Sequence, residues 1–201
     1  MATSMNFPHA LGAGPAAQRL LFVRHGATEP NLRGLRCGGE VDVPLTDVGR
    51  RQAQAIAQHL LAARQDIGVI VSSDLQRTRE TAAIIGRELG LTELLIEPGF
   101  CERHLGEWNL TPIADSQAAL EAGATPPGGE SQALFFERIR ATLFVLLPLM
   151  HRRPLLVASR GVARALGHIL AQPTAAPLSN GELVLFDLAG FHPHQTESRA
   201  A

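Results

Sequence analysis

Short apolar runs alternate along the chain with longer segments of helical periodicity, and this alternation limits the folds that the chain can adopt. Four apolar runs have the length and residue types of buried strands: residues 20–23, 67–71, 94–96 and 155–158. Between and after these runs, apolar residues recur at helical spacing. Strands that alternate with helices predict an α/β fold, a single-domain three-layer sandwich with a mostly parallel central sheet and helices on both faces.

Residues at the ends of the periodic segments indicate where several elements begin and stop. Thr46 or Asp47 can cap a helix, and Gly90 is typical of the residue that ends one. A long helix is predicted over residues 132–150, and alternation over residues 182–188 predicts a last strand. We expect one domain over residues 19–191, preceded by a flexible arm (1–18) and followed by a mobile tail (192–201).

Composition excludes several kinds of function. The chain has 18 basic residues, all of them arginine, and it has no tyrosine, which excludes a Schiff-base lysine, a P-loop lysine and a catalytic tyrosine. The net charge of −1 gives no reason to expect nucleic acid or membrane as a partner. Cys37 and Cys101 make no disulfide framework, and no apolar stretch approaches the roughly 20 residues of a membrane span. We therefore expect a cytoplasmic protein, and since its His and Cys residues lack ligand spacing, we expect no metal and no cofactor.

Polar loops that carry arginine or histidine follow three of the predicted strands. These loops are Arg24-His25-Gly26, Asp74-Leu75-Gln76-Arg77 and Ser159-Arg160-Gly161. Because ligands bind outside the carboxyl ends of strands in sheets of this kind, we expect the three loops to meet at one edge. Guanidinium groups gathered around one imidazole predict an anion site there.

His25 is the candidate nucleophile of this edge. Neighbouring guanidinium groups disfavour the charged imidazole, and a neutral imidazole can attack phosphorus. Gly26 is expected to let a phosphate approach the backbone. The alternative is a histidine at a strand end whose nitrogens are satisfied by backbone hydrogen bonds, and the tripeptide alone does not decide between the two.

Longer stretches around these loops resemble the histidine phosphatase superfamily, which has the phosphoglycerate-mutase-like fold. The similar stretches, in order, are LLFVRHGATEPN, DVPLTDVGRRQA, SSDLQRTRETA, EPGFCERHLGEW, PPGGES, SRGVARAL and NGELVLFDL. They cover nearly all of residues 20–188. The resemblance is to the small phosphatase branch, and it implies a metal-independent phosphoric monoester hydrolase that acts on a small-molecule phosphate ester.

The resemblance also implies roles for individual residues. His25 would be phosphorylated and then hydrolysed, while Arg24 and Arg77 would hold the phosphoryl oxygens. Asn31 and the backbone N–H of Gly161 would donate further hydrogen bonds, and Thr28 would support the loop. Glu102 would be the general acid and base. Arg79 and Glu107 are the alternatives for these two roles. Arg77 is preferred because it fills the motif position, and Glu102 because it matches the spacing of the family.

Arg160 stands where the resemblance implies a second histidine. It can supply positive charge and donors to a phosphoryl group but cannot shuttle a proton. We therefore expect a slowed or specialised phosphatase, with a catalytically weak phospho-ligand-binding relative as the alternative. A phosphoglycerate-type mutase is less favoured, because only residues 103–129 separate the acid from the GES-like stretch. A segment this short covers the site incompletely and leaves a phosphohistidine accessible to water.

The walls that select the substrate are expected in three segments, residues 32–38, 105–124 and 173–181. The apolar residues of 143–150 and the helix before them could form a homodimer face, although a buried helix explains them equally well.

Overall fold

A five-stranded sheet forms the centre of the computed structural model, which describes residues 18–173 and 177–191. Its strands are β1 (Arg19–Arg24), β2 (Val69–Ser72), β3 (Leu94–Ile96), β4 (Pro154–Ala158) and β5 (Leu183–Asp187). They lie in the order β3-β2-β4-β1-β5, with β5 antiparallel to β1 and the other neighbours parallel. The predicted mostly parallel sheet is therefore confirmed. The expected tail and all but residue 18 of the expected arm lie outside the described residues.

Helices cover both faces of this sheet. They are α1 (Glu29–Leu32), α2 (Asp47–Ala62), α3 (Gln76–Leu89), α4 (Ile113–Glu121), α5 (Gln132–Leu146) and α6 (Arg160–Ile169). Three short 3-10 turns span Pro98–Phe100, Gly106–Trp108 and Leu147–Arg152. Thr46 caps α2 by accepting a hydrogen bond from Gly49 N, and Gly90 ends α3 in the left-handed conformation (φ 71°), both as predicted.

The strands present alternate residues to two hydrophobic clusters, which produces the three layers. Leu20 and Phe22 of β1 belong to a cluster with α5 and α6, represented by Phe135 and Leu166. The other face of the same strand packs against α2 and α3; Leu21, Val23, Ile56, Leu60 and Ile85 belong to this second cluster. The predicted three-layer sandwich is confirmed.

The helix predicted over residues 132–150 ends earlier than expected. The α-helical part stops at Leu146, and a 3-10 turn continues to Arg152. Pro148 lies in this turn; without an N–H it cannot continue the α-helical hydrogen-bond ladder. Leu143, Leu146 and Met150 are buried in the core, which accounts for much of the apolar character of this segment.

Helix α4 is the main element that the sequence pattern did not predict. Ser116 is its one buried residue, so it has little of the apolar stripe that marks a helix packed on a core. It stands beside the carboxyl edge of the sheet and forms one wall of the cavity described below. Among the described residues, no helix has both the length and the apolar character needed to cross a membrane.

Candidate active site

A cavity of about 780 Å³ opens at the carboxyl ends of β1 and β4. Six of the residues singled out in the sequence line it: Arg24, His25, Asn31, Glu102, Arg160 and Gly161. Arg77 is fully buried beside His25 and does not reach the cavity surface. The three polar loops therefore meet at one edge of the sheet, as the parallel topology predicts.

His25 directly follows β1, and only 3% of its surface is exposed. Its Nδ1 lies 2.8 Å from the carbonyl oxygen of Gly26. Because a carbonyl only accepts hydrogen bonds, Nδ1 carries the proton and the lone pair is on Nε2. Burial, followed by the charges of Arg77 and Arg24, holds the pKa of His25 well below its usual value near 6.5. The residue is thus a neutral imidazole with the electronic form of a nucleophile.

Arg24 and Arg77 bring positive charge to this imidazole, and neither forms an ion pair with a carboxylate of the described residues. Nη1 of Arg24 donates to the carbonyl of Leu178 at 2.6 Å, and Nη1 of Arg77 donates to that of Val41 at 2.7 Å. The Nε atoms of both arginines are buried and have no hydrogen-bond partner among the described residues. Burial and then the nearby charge of Arg160 lower the pKa of Arg24 to about 10. Arg24 therefore remains cationic at neutral pH, and a bound anion would relieve the repulsion between the guanidinium groups.

Asn31 is oriented by three hydrogen bonds to its side-chain oxygen. Oδ1 accepts from Thr28 N at 3.2 Å, from Thr28 Oγ1 at 3.0 Å and from Asn180 Nδ2 at 3.0 Å. The amide nitrogen is therefore the part of this cavity residue that is left for a ligand. Asn180 also donates to the carbonyl oxygen of His25 at 3.0 Å. The sequence reasoning missed Asn180, although it lies in the NGELVLFDL stretch.

Glu102 is held by backbone N–H groups on both carboxylate oxygens. Oε1 accepts from Arg103 N at 2.8 Å, and Oε2 accepts from Gly161 N at 2.9 Å. Its competitor Glu107 is exposed and does not line the cavity. Of the two carboxylates considered for the acid role, only Glu102 can meet a ligand in this cavity.

The loop that carries Glu102 is fixed by a network of charged side chains. Arg138 on α5 contacts both carboxylate oxygens of Glu130, at 3.1 and 2.8 Å, and donates to the carbonyls of Gly99 and Cys101. Glu40 accepts from the N–H groups of Leu105 and Gly106 on the other side. Glu130 belongs to the PPGGES stretch, so the structure gives that stretch a role in positioning the acid loop.

Two glycines act differently from what the sequence suggested. A Cβ on Gly26 would lie 2.3 Å from the backbone oxygen of Gly49, so this glycine is required by the close packing of its loop on α2. This packing on α2 is a reason for glycine at position 26 that the sequence did not indicate. Gly161 was expected to offer its N–H to a phosphate, but in this structure that N–H donates to Glu102.

The β4–α6 junction carries a second polar residue that the sequence analysis overlooked. Helix α6 begins at Arg160, and Ser159 is its N-cap residue. Since Arg24 is paired with Ala158 in the parallel ladder, Ser159 follows at the level of His25. Its hydroxyl is buried and has no partner among the described residues. The side chain of an N-cap serine usually accepts a hydrogen bond from a backbone N–H of the helix. That Ser159 makes no such bond is visible only in the structure.

The remaining walls of the cavity come mostly from the expected segments. Leu35, Cys37, Ile113, Leu120 and Pro177 line it from the three predicted regions. Phe135, Phe136, Arg164 and His168 on α5 and α6 also line it and were not expected. Cys37 and Cys101 are both free thiols.

The fold and the site together define an α/β protein with a cationic cavity and a neutral histidine at the carboxyl edge of its sheet. The model of the histidine phosphatase superfamily (branch 1) matches residues 20–195. The chain belongs to this superfamily, which confirms the resemblance seen in its motifs.

Two curated relatives and one solved structure illustrate the similarity. The glucosyl-3-phosphoglycerate phosphatase of Mycolicibacterium vanbaalenii is 38% identical over 143 residues, covering 67% of this chain and 59% of that protein. A probable phosphoglycerate mutase of Photorhabdus laumondii is 36% identical over 171 residues, 79% of this chain and 77% of that protein. The structure of the mycobacterial glucosyl-3-phosphoglycerate phosphatase with VO3 has a TM-score of 0.70 at 31% identity, covering 84% of this chain and 90% of that one. The chain spans little more than half the length of the first curated relatives that it matches.

Proposed function

We propose that the protein is a phosphomonoesterase that works through a phosphohistidine on His25. In the first step Nε2 of His25 attacks phosphorus, the ester P–O bond breaks, and the protonated carboxyl of Glu102 gives its proton to the leaving alkoxide. In the second step the Glu102 carboxylate takes a proton from a water molecule, which attacks phosphorus and releases inorganic phosphate and neutral His25.

One observation carries this proposal: a buried, neutral His25, whose Nε2 has no hydrogen-bond partner among the described residues, lies beside two arginines that form no ion pair there. The transition state of phosphoryl transfer spreads negative charge over the phosphoryl oxygens. Fixed guanidinium groups stabilise that charge without reorganisation, and one such donor is commonly worth about two to three orders of magnitude in rate. Asn31 would add one further donor.

We propose further that no metal takes part. The guanidinium groups supply the electrophilic charge that a metal would otherwise provide. Within residues 18–173 and 177–191, no three His, Cys, Asp or Glu side chains are grouped as a metal site requires. A chelator should therefore leave turnover unchanged.

Arg160 supports a second candidate, a relative that binds a phosphate ester with little turnover. It lines the cavity, and its charge contributes to the lowered pKa of Arg24. We favour the enzyme, because His25, Arg24 and Glu102 line one cavity and the charge of Arg77 lies beside His25. The variant Arg160→His distinguishes the two candidates. Turnover that rises identifies a slowed phosphatase, and unchanged turnover identifies Arg160 as a neutral replacement. Ester binding without phosphate release, by wild type and variant alike, identifies the binding relative.

The substrate that we propose is a small, soluble phosphate ester. The cavity volume of about 780 Å³ lies in the range that holds sugar-sized ligands. Because phosphatases of glucosyl-3-phosphoglycerate are among the relatives, that ester and 3-phosphoglycerate belong in any test panel.

Phosphate release from a panel of monoesters at several pH values tests the proposal. Wild type, His25→Ala and His104→Ala are compared, since His104 is exposed, lies outside the cavity lining and provides a matched control. We expect turnover by wild type and His104→Ala and none by His25→Ala. Equal turnover by His25→Ala would overturn the proposal.

A further inference from the structure

Three arginines in the cavity have no part in the proposed reaction: Arg36, Arg103 and Arg164. Together with Arg24 and Arg160 they make five guanidinium groups along the lining. Among the residues that the structure describes, only two carboxylates, Glu102 and Glu121, share that lining with them. The cavity therefore carries more positive charge than one phosphoryl group needs.

Arg103 is nearly inaccessible, with 2% of its surface exposed, and its hydrogen bonds go to neutral groups. Nε donates to the carbonyl of Glu130 at 2.8 Å, and Nη2 donates to that of Ala124 at 3.1 Å. Nη1 has no partner among the described residues. The carbonyls hold the guanidinium in place, but they do not neutralise it.

Arg36 is held in the same manner. It is 5% exposed, and its Nε donates to Ser116 Oγ at 2.9 Å. Its Nη2 donates to the carbonyl of Ile113 at 3.3 Å and to Oε1 of Gln117 at 2.8 Å. These partners lie on α4 and are also neutral, so the helix fixes a second uncompensated charge in the cavity wall.

Arg164, exposed on α6, lines the same cavity as these two groups. After burial, the charges of Arg160 and Arg164 lower the pKa of Arg36, and the charge of Arg164 lowers that of Arg103. These three arginines form no ion pair in the part of the chain that the structure describes, unlike Arg138.

The carboxylates that face this group do not cancel its charge. Glu102 and Glu121 act on Arg36, and Glu102 and Glu130 act on Arg103, but each lies outside ion-pair distance of them. Glu102 is engaged by two backbone N–H groups, and Glu130 is paired with Arg138. Buried cations without a counter-ion are costly, and a ligand anion removes that cost.

We propose that Arg36, Arg103 and Arg164 form a second anion subsite, which receives a carboxylate or second phosphate of the substrate. The proposal rests on the proposed function, because it places the first phosphoryl group at His25. It narrows the substrate class to phosphate monoesters that bear a second anionic group. Guanidinium suits both anions, since its planar donors match carboxylate and phosphate oxygens.

Three compounds with one carbon skeleton test the subsite: 3-phosphoglycerate, 2,3-bisphosphoglycerate and glycerol 3-phosphate. They present a carboxylate, a carboxylate with a second phosphate, and a neutral hydroxymethyl group. We expect wild type to favour 3-phosphoglycerate over glycerol 3-phosphate by roughly 10- to 100-fold in kcat/KM, the usual effect of a hydrogen-bonded charge. A further preference for the bisphosphate would identify phosphate as the favoured second anion.

Arg164→Gln is the main variant, because Arg164 is exposed and makes no hydrogen bond or ion pair with the residues that the structure describes. It should remove most of the preference by lowering kcat/KM far more for 3-phosphoglycerate than for glycerol 3-phosphate, since the neutral compound makes no charged hydrogen bond there. Arg36→Gln should act in the same direction. Arg51→Gln, an exposed arginine on α2, makes the same charge change outside the cavity and should keep the full preference.

Binding measurements keep the subsite and the proposed function separable. The dissociation constants of the three compounds for His25→Ala, measured calorimetrically, should follow the same order as kcat/KM. Tighter binding of the acids without phosphate release by wild type would retain the subsite and overturn the phosphatase. Phosphate release with equal kcat/KM for all three compounds, or an equal loss on all three in Arg164→Gln, would overturn the subsite and retain the phosphatase.

Discussion

Arginine is used in two ways in this molecule, and the contrast separates structure from function. Arg138 contacts both oxygens of Glu130 and donates to three carbonyls of the acid loop. Arg24 and Arg77 lie at the edge of the sheet, more deeply buried, with carbonyl partners and an unpartnered Nε each. We interpret a buried cation that forms no ion pair with the described residues as a charge kept for a ligand, whereas a paired cation holds the chain together.

The largest expected effects come from exchanging one arginine of each kind for glutamine. Arg77→Gln should lower kcat by about 10²- to 10³-fold, since it removes one positive charge beside His25, where the phosphoryl group is proposed to bind. Its effect on the free energy of unfolding should be small, because a buried and uncompensated charge leaves with it. Arg138→Gln should lower that free energy by about 2–3 kcal/mol, since Glu130 loses its charged partner.

Chemical unfolding and steady-state kinetics on the same preparations check this pair. If Arg77→Gln lost stability as Arg138→Gln does while keeping its kcat, the division into functional and structural arginines would be wrong.

A smaller effect is expected where the acid loop meets α6. A Cβ on Gly161 would lie only 1.9 Å from Oε1 of Glu102, so Gly161→Ala must displace this carboxylate. Because misplaced catalytic groups are costly, we expect kcat to fall by about 100-fold. Gly190→Ala is the matched control, since a Cβ there meets nothing within 4 Å. Full activity of Gly161→Ala would show that Glu102 can move without consequence and is not the acid.

The smallest effect concerns stability against pH. Since the pKa of His25 lies well below 6.5 in the folded protein, the unfolded chain binds the proton first as the pH falls below 6.5. The free energy of unfolding should therefore decrease below pH 6.5, by up to about 1.4 kcal/mol per pH unit from this group. Above pH 6.5 both states are neutral and His25 adds no slope.

His25→Asn should remove this contribution, so the stability curves of wild type and variant should converge or cross on acidification from pH 7 to 5.5. Urea unfolding at four or five pH values measures both curves. Parallel curves would mean that His25 is protonated equally in the folded and unfolded states, against a neutral nucleophile.

The sheet and its edge could be predicted from the sequence because they depend on local patterns. Apolar runs gave the strands, Thr46 and Gly90 marked helix ends, and parallel topology brought the three loops together. The choice of Arg77 over Arg79 came from its motif position, and the structure shows Arg77 fully buried and Arg79 exposed. The antiparallel direction of β5 could not be predicted, because polar and apolar residues alternate in the same way in parallel and antiparallel strands.

Other features depend on contacts between distant segments and left no local signal. Gly26 is needed because of Gly49, and the cluster of Arg36, Arg103 and Arg164 forms only when the loop after α1, the acid loop and α6 come together. Helix α4 was missed because a cavity wall does not require an apolar stripe. The sequence thus predicted the anion site from its motifs, but the second group of arginines required the structure.

The measurement that tests the central claim most directly is the trapping of the covalent intermediate. Wild type mixed with a phosphate ester is quenched in alkali within milliseconds, digested and analysed by mass spectrometry, with His25→Ala in parallel. We expect one phosphoryl group on His25, stable in alkali and lost in acid, and none in the variant. A phosphoryl group on another residue, or phosphate release with no phosphohistidine at any time point, would contradict the account.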